Sequence, residues 1–234
     1  MGFQKITTLS LTDLFAQQIE NMILSGELAV GEQLPSAREL SARMGVSRPV
    51  ISAGLIELEK LGFVEIIPRQ GVYVSDYRRK GTVETLVAIM RFNQGTMRKS
   101  EVKSLLEVRE SLECLCTHLA IENASNEELE SLGSILDELK SALNADEAAE
   151  KTFLFFHELA VLSGNVLLPL LYHSFKAPGV HLWSIYAKKF GVKSLYDLKI
   201  DYYKALLNRD EEEAVSQVHK IMQNAVRDLA FYGA

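Results

Sequence analysis

The sequence predicts a mainly α-helical protein in two parts. Residues 1–76 form an N-terminal winged helix-turn-helix with a small β-hairpin wing, and residues 77–234 form a C-terminal antiparallel bundle of six or seven helices. Three observations predict this. Apolar side chains recur at three- and four-residue steps through most of the chain, the period of a helix with one buried face. The period changes to two only at Phe63–Ile67 and Val72–Val74, on either side of a turn. Charge is unevenly divided: residues 1–80 hold 9 Lys/Arg against 9 Asp/Glu, whereas residues 81–234 hold 16 against 22.

The elements follow in order. Leu11, Leu14, Phe15, Ile19, Met22 and Ile23 line one face of a first helix that Gly26 ends. Gly31 and Pro35 punctuate the loop after it. Ser36 and Glu39 have the spacing of a capping box and open a second helix, with Leu40 and Met44 facing inward and Gly45 at its end. Ser47 then caps a third helix with inward positions Ile51, Leu55, Leu58 and Leu61. Two short helices joined at a glycine form the helix-turn-helix pattern, with the second as the reader. The two strands and the turn Pro68-Arg69-Gln70-Gly71 form a wing with a basic tip. After a link at 76–81, helices are predicted at Val83–Phe92, Val102–Asn123, Glu127–Leu143, Glu147–Ser163, Val166–Phe190, Ser194–Asn208 and Asp210–Phe231. Ser125 and Asp146 are the expected N-caps within this part.

Composition excludes several classes. With 234 residues, 47% hydrophobic and 5 Pro, the chain can build a substantial core and has no room for long disorder. No apolar run approaches the ~20 residues of a membrane span. The start Met1-Gly2-Phe3-Gln4-Lys5 has no apolar h-region, and Ile6 stands where myristoylation needs a hydroxyl. A cytoplasmic protein with no membrane partner is expected. Cys114 and Cys116, two residues apart on a helix, point to different faces and read as small buried hydrophobes. The net charge of −6 speaks against DNA until it is partitioned, because Gln33 to Lys80 holds 8 basic and 5 acidic residues.

The stretch GEQLPSARELSARMGVSRPVISAGLIELEKLGFVEIIPRQGVYV resembles the winged helix of the GntR family of bacterial transcriptional regulators. The resemblance runs through Leu34-Pro35-Ser36-x-Arg38-x-Leu40, Gly45-Val46-Ser47-Arg48, Leu55-x-x-Leu58-x-x-x-Gly62 and Gly71-x-x-Val74. It implies double-stranded operator DNA as a partner. Arg38 is placed to reach phosphate or a guanine edge, and Arg48 to read guanine O6 and N7. Ser47 and the adjacent amides can hold phosphate. Arg69, Gln70 and Gly71 can enter the minor groove, and Ser36, Pro49 and Ser52 complete the expected DNA-binding face. Three departures stand out. Ser52 replaces an arginine, Pro49-Val50 replaces Thr-Pro, and Ala53-Gly54 replaces Glu-Ala, so an operator of its own is expected. Gly54 costs its helix about 1 kcal/mol against alanine, which close packing against another helix would explain.

The remainder resembles the all-helical effector domain of the FadR subfamily, on LLEVRESLECLCTHLAIENAS with Arg109 and Glu113, on FFHELAVLSGN, and on YYKALLNRDEEEA. Most such domains hold a metal through an Asp four residues before a His, with two later His. Carried over, those positions are Phe153, His157 and places near Lys199 and Ile221. One ligand of four remains, so no metal and no cofactor is expected. The resemblance implies instead a metal-free cavity lined by Phe153 and Ile221, with Arg109, His157 and Lys199 orienting an effector, a fatty acyl-CoA or another organic acid. The plainer reading of His157 is a satisfied core residue, and Trp183 with Tyr186 reads as core. An enzyme would need a nucleophile–base pair or an intact metal site, and no catalytic residue is assigned. The expected function is an effector-controlled, homodimeric transcriptional regulator. The alternative is a DNA-binding dimer whose helical part only dimerises.

Overall fold

The computed structural model describes residues 10–92 and 99–227, and the chain divides after Phe92 into two compact units. The expected boundary near residue 76 therefore falls inside the first unit.

In the first unit α1 (Leu11–Ser25), α2 (Ala37–Met44) and α3 (Arg48–Lys60) precede a hairpin of β1 (Val64–Ile67) and β2 (Gly71–Val74). Ser10 and Asp13 form a capping box at the start of α1, and Gly26 closes it in the left-handed conformation. Ser36 with Glu39 and Gly45 do the same for α2. Phe15, Ile19 and Ile23 pack with Ile51, Leu55, Leu58 and Phe63, all buried, and each such side chain contributes about 1.5–3 kcal/mol on leaving water. The hairpin is antiparallel, pairing Val64 with Val74 and Ile67 with Gly71. The loop before α2 lies along β2 as an extra edge, with Gly31 N–H donating to Val74 O, Val74 N–H to Glu32 O and Leu34 N–H to Val72 O. The link expected at 76–81 contains a single helical turn, α4 (Tyr77–Lys80), before α5 (Val83–Phe92). Thr85 donates from α5 to Leu61 O at 2.6 Å, and Ala88 joins the core of this unit.

Among the described residues, the second unit holds α6 (Lys99–Asn123), α7 (Asn126–Lys140), α8 (Ala145–Leu162), α9 (Leu168–Ser174), α10 (Lys176–Phe190), α11 (Val192–Leu207) and α12 (Glu211–Arg227). Helix α8 is central, with α6, α7, α9, α10 and α11 all packing on it. It buries Ala148, Ala149, Thr152, Phe153, Phe155, Phe156, Leu159 and Ala160, a stripe wider than one face. Ser125 caps α7 as expected, in a box with Glu128. Asp146 does not cap α8. Asn144 does, and Asp146 instead accepts from Ser184 and Lys188 of α10. The helix expected over Val166–Phe190 is broken at Phe175 into α9 and α10, where Pro178 in the first turn of α10 has no N–H to give to Ser174 O. The end of the last expected helix, 228–231, lies outside the described residues. No helix among them is long and apolar enough to cross a membrane.

Candidate functional site

Two places collect the residues expected to act. The first is the outer face of α2, α3 and the hairpin. Helix α3 turns Ile51, Gly54, Leu55 and Leu58 to the core, which leaves Arg48 and Ser52, one turn apart, on its exposed side with Ser47 and Pro49. Ser47 occupies the N-cap position, but its side chain makes no capping hydrogen bond, contrary to expectation. Pro49 in the first turn is tolerated because that turn's N–H groups have no acceptor within the helix. Arg38 is exposed in the first turn of α2. The Ser36 hydroxyl is already engaged, accepting from Glu39 N–H at 3.3 Å and donating to Glu39 Oε2 at 2.7 Å. The Ser36 hydroxyl and the Ser36 backbone N–H, both donating to Glu39 Oε2, hold that carboxyl below its ordinary range. Arg69 and Gln70 are exposed at the wing tip, with Arg69 at φ 66° and Gly71 at φ 128°.

The second place is buried in the helical unit, where α6, α8, α9, α10 and α11 bring charge into an aromatic surround. Arg109 and Glu113, one turn apart on α6, pair at 2.6 Å and are 3% and 1% exposed. The Tyr172 hydroxyl from α9 donates to the same Glu113 Oε1 at 3.1 Å. The Arg109 guanidinium lies 4.2 Å from the Trp183 ring centroid on α10. Lys199 of α11 is fully buried, with Nζ 5.8 Å from the same ring and 5.5 Å from Phe156. Phe156 stacks on Trp183 with centroids 5.9 Å apart. Three buried polar atoms there have no hydrogen-bond partner: Arg109 Nε, Glu113 Oε2 and Lys199 Nζ. Leaving such atoms dry and unpaired costs about 1–3 kcal/mol each, more when charged. Burial lowers Lys199 to about 7, with Glu113 opposing the shift and Arg109 adding to it.

The other expected residues are spread around this cluster. Phe153 stacks on Tyr172 at 5.7 Å and so borders it. His157 is one ring further out, stacked on Phe153 at 5.5 Å and edge-on to His173 at 5.5 Å. Burial and His173 hold its imidazole below the ordinary histidine range. Ile221 is buried on α12, which packs against α6 and α11, the helices carrying Arg109 and Lys199. Among the described residues no group of three or more His, Cys, Asp or Glu could hold a metal ion. Glu113, Tyr172 and Trp183 were not assigned from the sequence. The four-residue step from Arg109 to Glu113 signals the ion pair, whereas nothing in the sequence pairs Tyr172 with Glu113, 59 residues away.

A helix-turn-helix with a wing, ahead of an all-helical body, defines a DNA-binding transcription regulator. Residues 11–74 match the bacterial regulatory proteins of the gntR family and residues 104–224 match the FCD domain. The chain belongs to the GntR family. It is 31% identical over 208 residues to the HTH-type transcriptional regulator LutR of Bacillus subtilis, covering 85% of this chain and 92% of that protein. It is 30% identical over 181 residues to the HTH-type transcriptional regulator Mce2R of Mycobacterium tuberculosis, covering 76% of this chain and 73% of the relative. The fold is shared with a solved structure described as "Lar controls the expression of the Listeria monocytogenes agr system and mediates virulence". That likeness has TM-score 0.64 and 15% identity, covering 97% of this chain and 99% of the other. It is also shared with a GntR family member of Pseudomonas syringae pv. tomato, with TM-score 0.51 and 16% identity, over 95% of this chain and 85% of the other.

Proposed function

We propose that this protein is a FadR-type, homodimeric regulator that works in the cytoplasm, binds operator DNA through its first unit and is controlled by a small organic acid held in the second. Arg38 and Arg48 contact phosphate and guanine edges, Arg69, Gln70 and Gly71 enter the minor groove, and Ser47, Pro49 and Ser52 lie at the contact. Ser36 serves by capping α2 rather than by touching DNA. The acid's carboxylate sits against Arg109 and Lys199, with Phe153 at its border and His157 and Ile221 farther out.

The observation that carries the effector reading is the convergence of three unpartnered buried polar atoms, two of them on cations, in one aromatic surround. A protein core without a ligand gains nothing from an unpaired buried ammonium. A carboxylate would satisfy Arg109 Nε and Lys199 together, without a metal. A fatty acyl-CoA fits less well, because its acyl chain offers no acceptor to Arg109 Nε or Lys199 Nζ. Neither unit is assigned catalysis: the named relatives are regulators.

Thermal melting with a panel of organic acids, divalent metals and acyl-CoAs tests this reading. An organic acid is expected to raise the melting temperature, with the shift lost in Lys199→Met, and to change affinity for DNA in fluorescence anisotropy. A shift by acyl-CoA alone points to the thioester, and a shift by metal alone overturns the metal-free site. No shift by any of them leaves a helical unit that only dimerises.

A further inference from the structure

The wing tip is held by a residue outside the hairpin. Gln33, in the loop before α2, donates from Nε2 to the carbonyl of Gln70 at 2.8 Å. Its backbone forms an isolated antiparallel bridge with Tyr73. The tip folds back on itself through Gln70 N–H to Ile67 O at 3.0 Å, and Arg69 takes a left-handed backbone at φ 66°. The Gln33 amide lies so close to Gly71 that a Cβ there would stand 2.6 Å from Nε2. Gln33 therefore fills the space that the missing side chain of Gly71 leaves and fixes the carbonyl between Arg69 and Gly71.

We infer that Gln33 is a positioning residue for minor-groove reading: it does not touch DNA itself but sets where Arg69 and Gln70 point. This inference rests on the DNA-binding face proposed above. The physical reason is pre-organisation. A three-residue hairpin tip, 68–70, keeps freedom in its exposed side chains and carbonyls, and ordering it on DNA subtracts from affinity. A hydrogen bond from the neighbouring loop orders it beforehand. The bond is solvent-exposed, so it adds little to folding stability. Its effect should appear in DNA binding and hardly at all in melting. Because Gln33 immediately precedes Leu34-Pro35 and the α2 cap, it also ties the wing tip to the helix carrying Arg38.

The test uses the full-length protein, with a duplex selected from a randomised library by the wild type. Gln33→Met keeps the side chain's length and removes the donor. It is expected to weaken binding of the selected duplex about three- to tenfold. In hydroxyl-radical footprints it should lose protection of the minor groove under the wing and keep that of the major groove. Its melting temperature should be unchanged. In a double-mutant cycle, Arg69→Ala should cost much less in the Gln33→Met background than in the wild type. Additive losses, an unchanged footprint, or a fall in melting temperature with uniform loss of protection would each overturn the positioning role. If Arg48→Ala and Arg69→Ala both bind like wild type, the proposed DNA-binding face itself fails, a result that Gln33→Met alone cannot produce.

Discussion

Lys199 carries the cost of a buried, unpartnered group, and the proposed effector site gives it a role. Its folded-state value of about 7 lies far below that of an exposed lysine. The unfolded chain therefore binds more protons than the folded one between about pH 7 and pH 10, and the wild type should gain stability as pH rises through that window. Lys199→Met has no such proton to exchange. Urea titrations from pH 6 to pH 9 are expected to show the variant as the more stable protein at pH 6, with the gap narrowing by up to about 1.4 kcal/mol per pH unit above 7. An anionic effector would draw a proton back onto Lys199, so its affinity should be flat below pH 7 and fall up to about tenfold per unit above it. Calorimetry in buffers of different ionisation enthalpy measures that uptake directly. Glu113 gives the converse case. Glu113→Ala strands Arg109 beside Lys199 with no counter-charge and should lower stability by about 3–5 kcal/mol in chemical denaturation.

Two positions are decided between elements. Gly54 is unfavourable for α3 taken alone, yet a Cβ there would stand 2.3 Å from Phe15 Cδ1 on α1. The close approach of α1 and α3 explains the glycine, and it is not a DNA contact. Gly54→Ala is therefore expected to destabilise by about 1–3 kcal/mol despite its gain in helix propensity, which thermal melting will show. Arg209, in the turn between α11 and α12 at φ 52°, binds the carbonyls of Ile121 and Ala124 and the side chain of Asn126. It locks that turn to the one between α6 and α7. Arg209→Ala should lower the melting temperature by several degrees, since several charge-assisted hydrogen bonds are lost together.

At the scale of the whole molecule, the proposed homodimer would carry a reader helix in each protomer and so calls for two half-sites. Light scattering of the complex is expected to give two chains per duplex, with two protected half-sites about one helical turn apart. One chain per duplex would remove the symmetric arrangement. Ser52 belongs to this scale as well. With a serine where the family resemblance leads one to expect arginine, Ser52→Arg should change which duplexes are selected from a random library more than it changes stability.

The sequence by itself determined the helices, the hairpin, their order, and the DNA-binding class. Each of these rests on information local in the chain: a period of 3.6 or 2, the Ser–Glu spacing of a capping box, a glycine at a helix end. The exposure of Arg38, Arg48 and Arg69 follows from the same kind of information, since their motif is continuous. Only the tertiary structure decided that the first unit extends to Phe92 and that Gly54 answers to Phe15. It alone joined Glu113 to Tyr172 and set Arg109 and Lys199 against one tryptophan ring. Those contacts link residues tens of positions apart, and no period or spacing records which buried side chains will meet. Whether a buried polar atom finds a partner is a property of the packed interior, and here that interior pairs Arg109 with Glu113 yet leaves Arg109 Nε, Glu113 Oε2 and Lys199 Nζ without one.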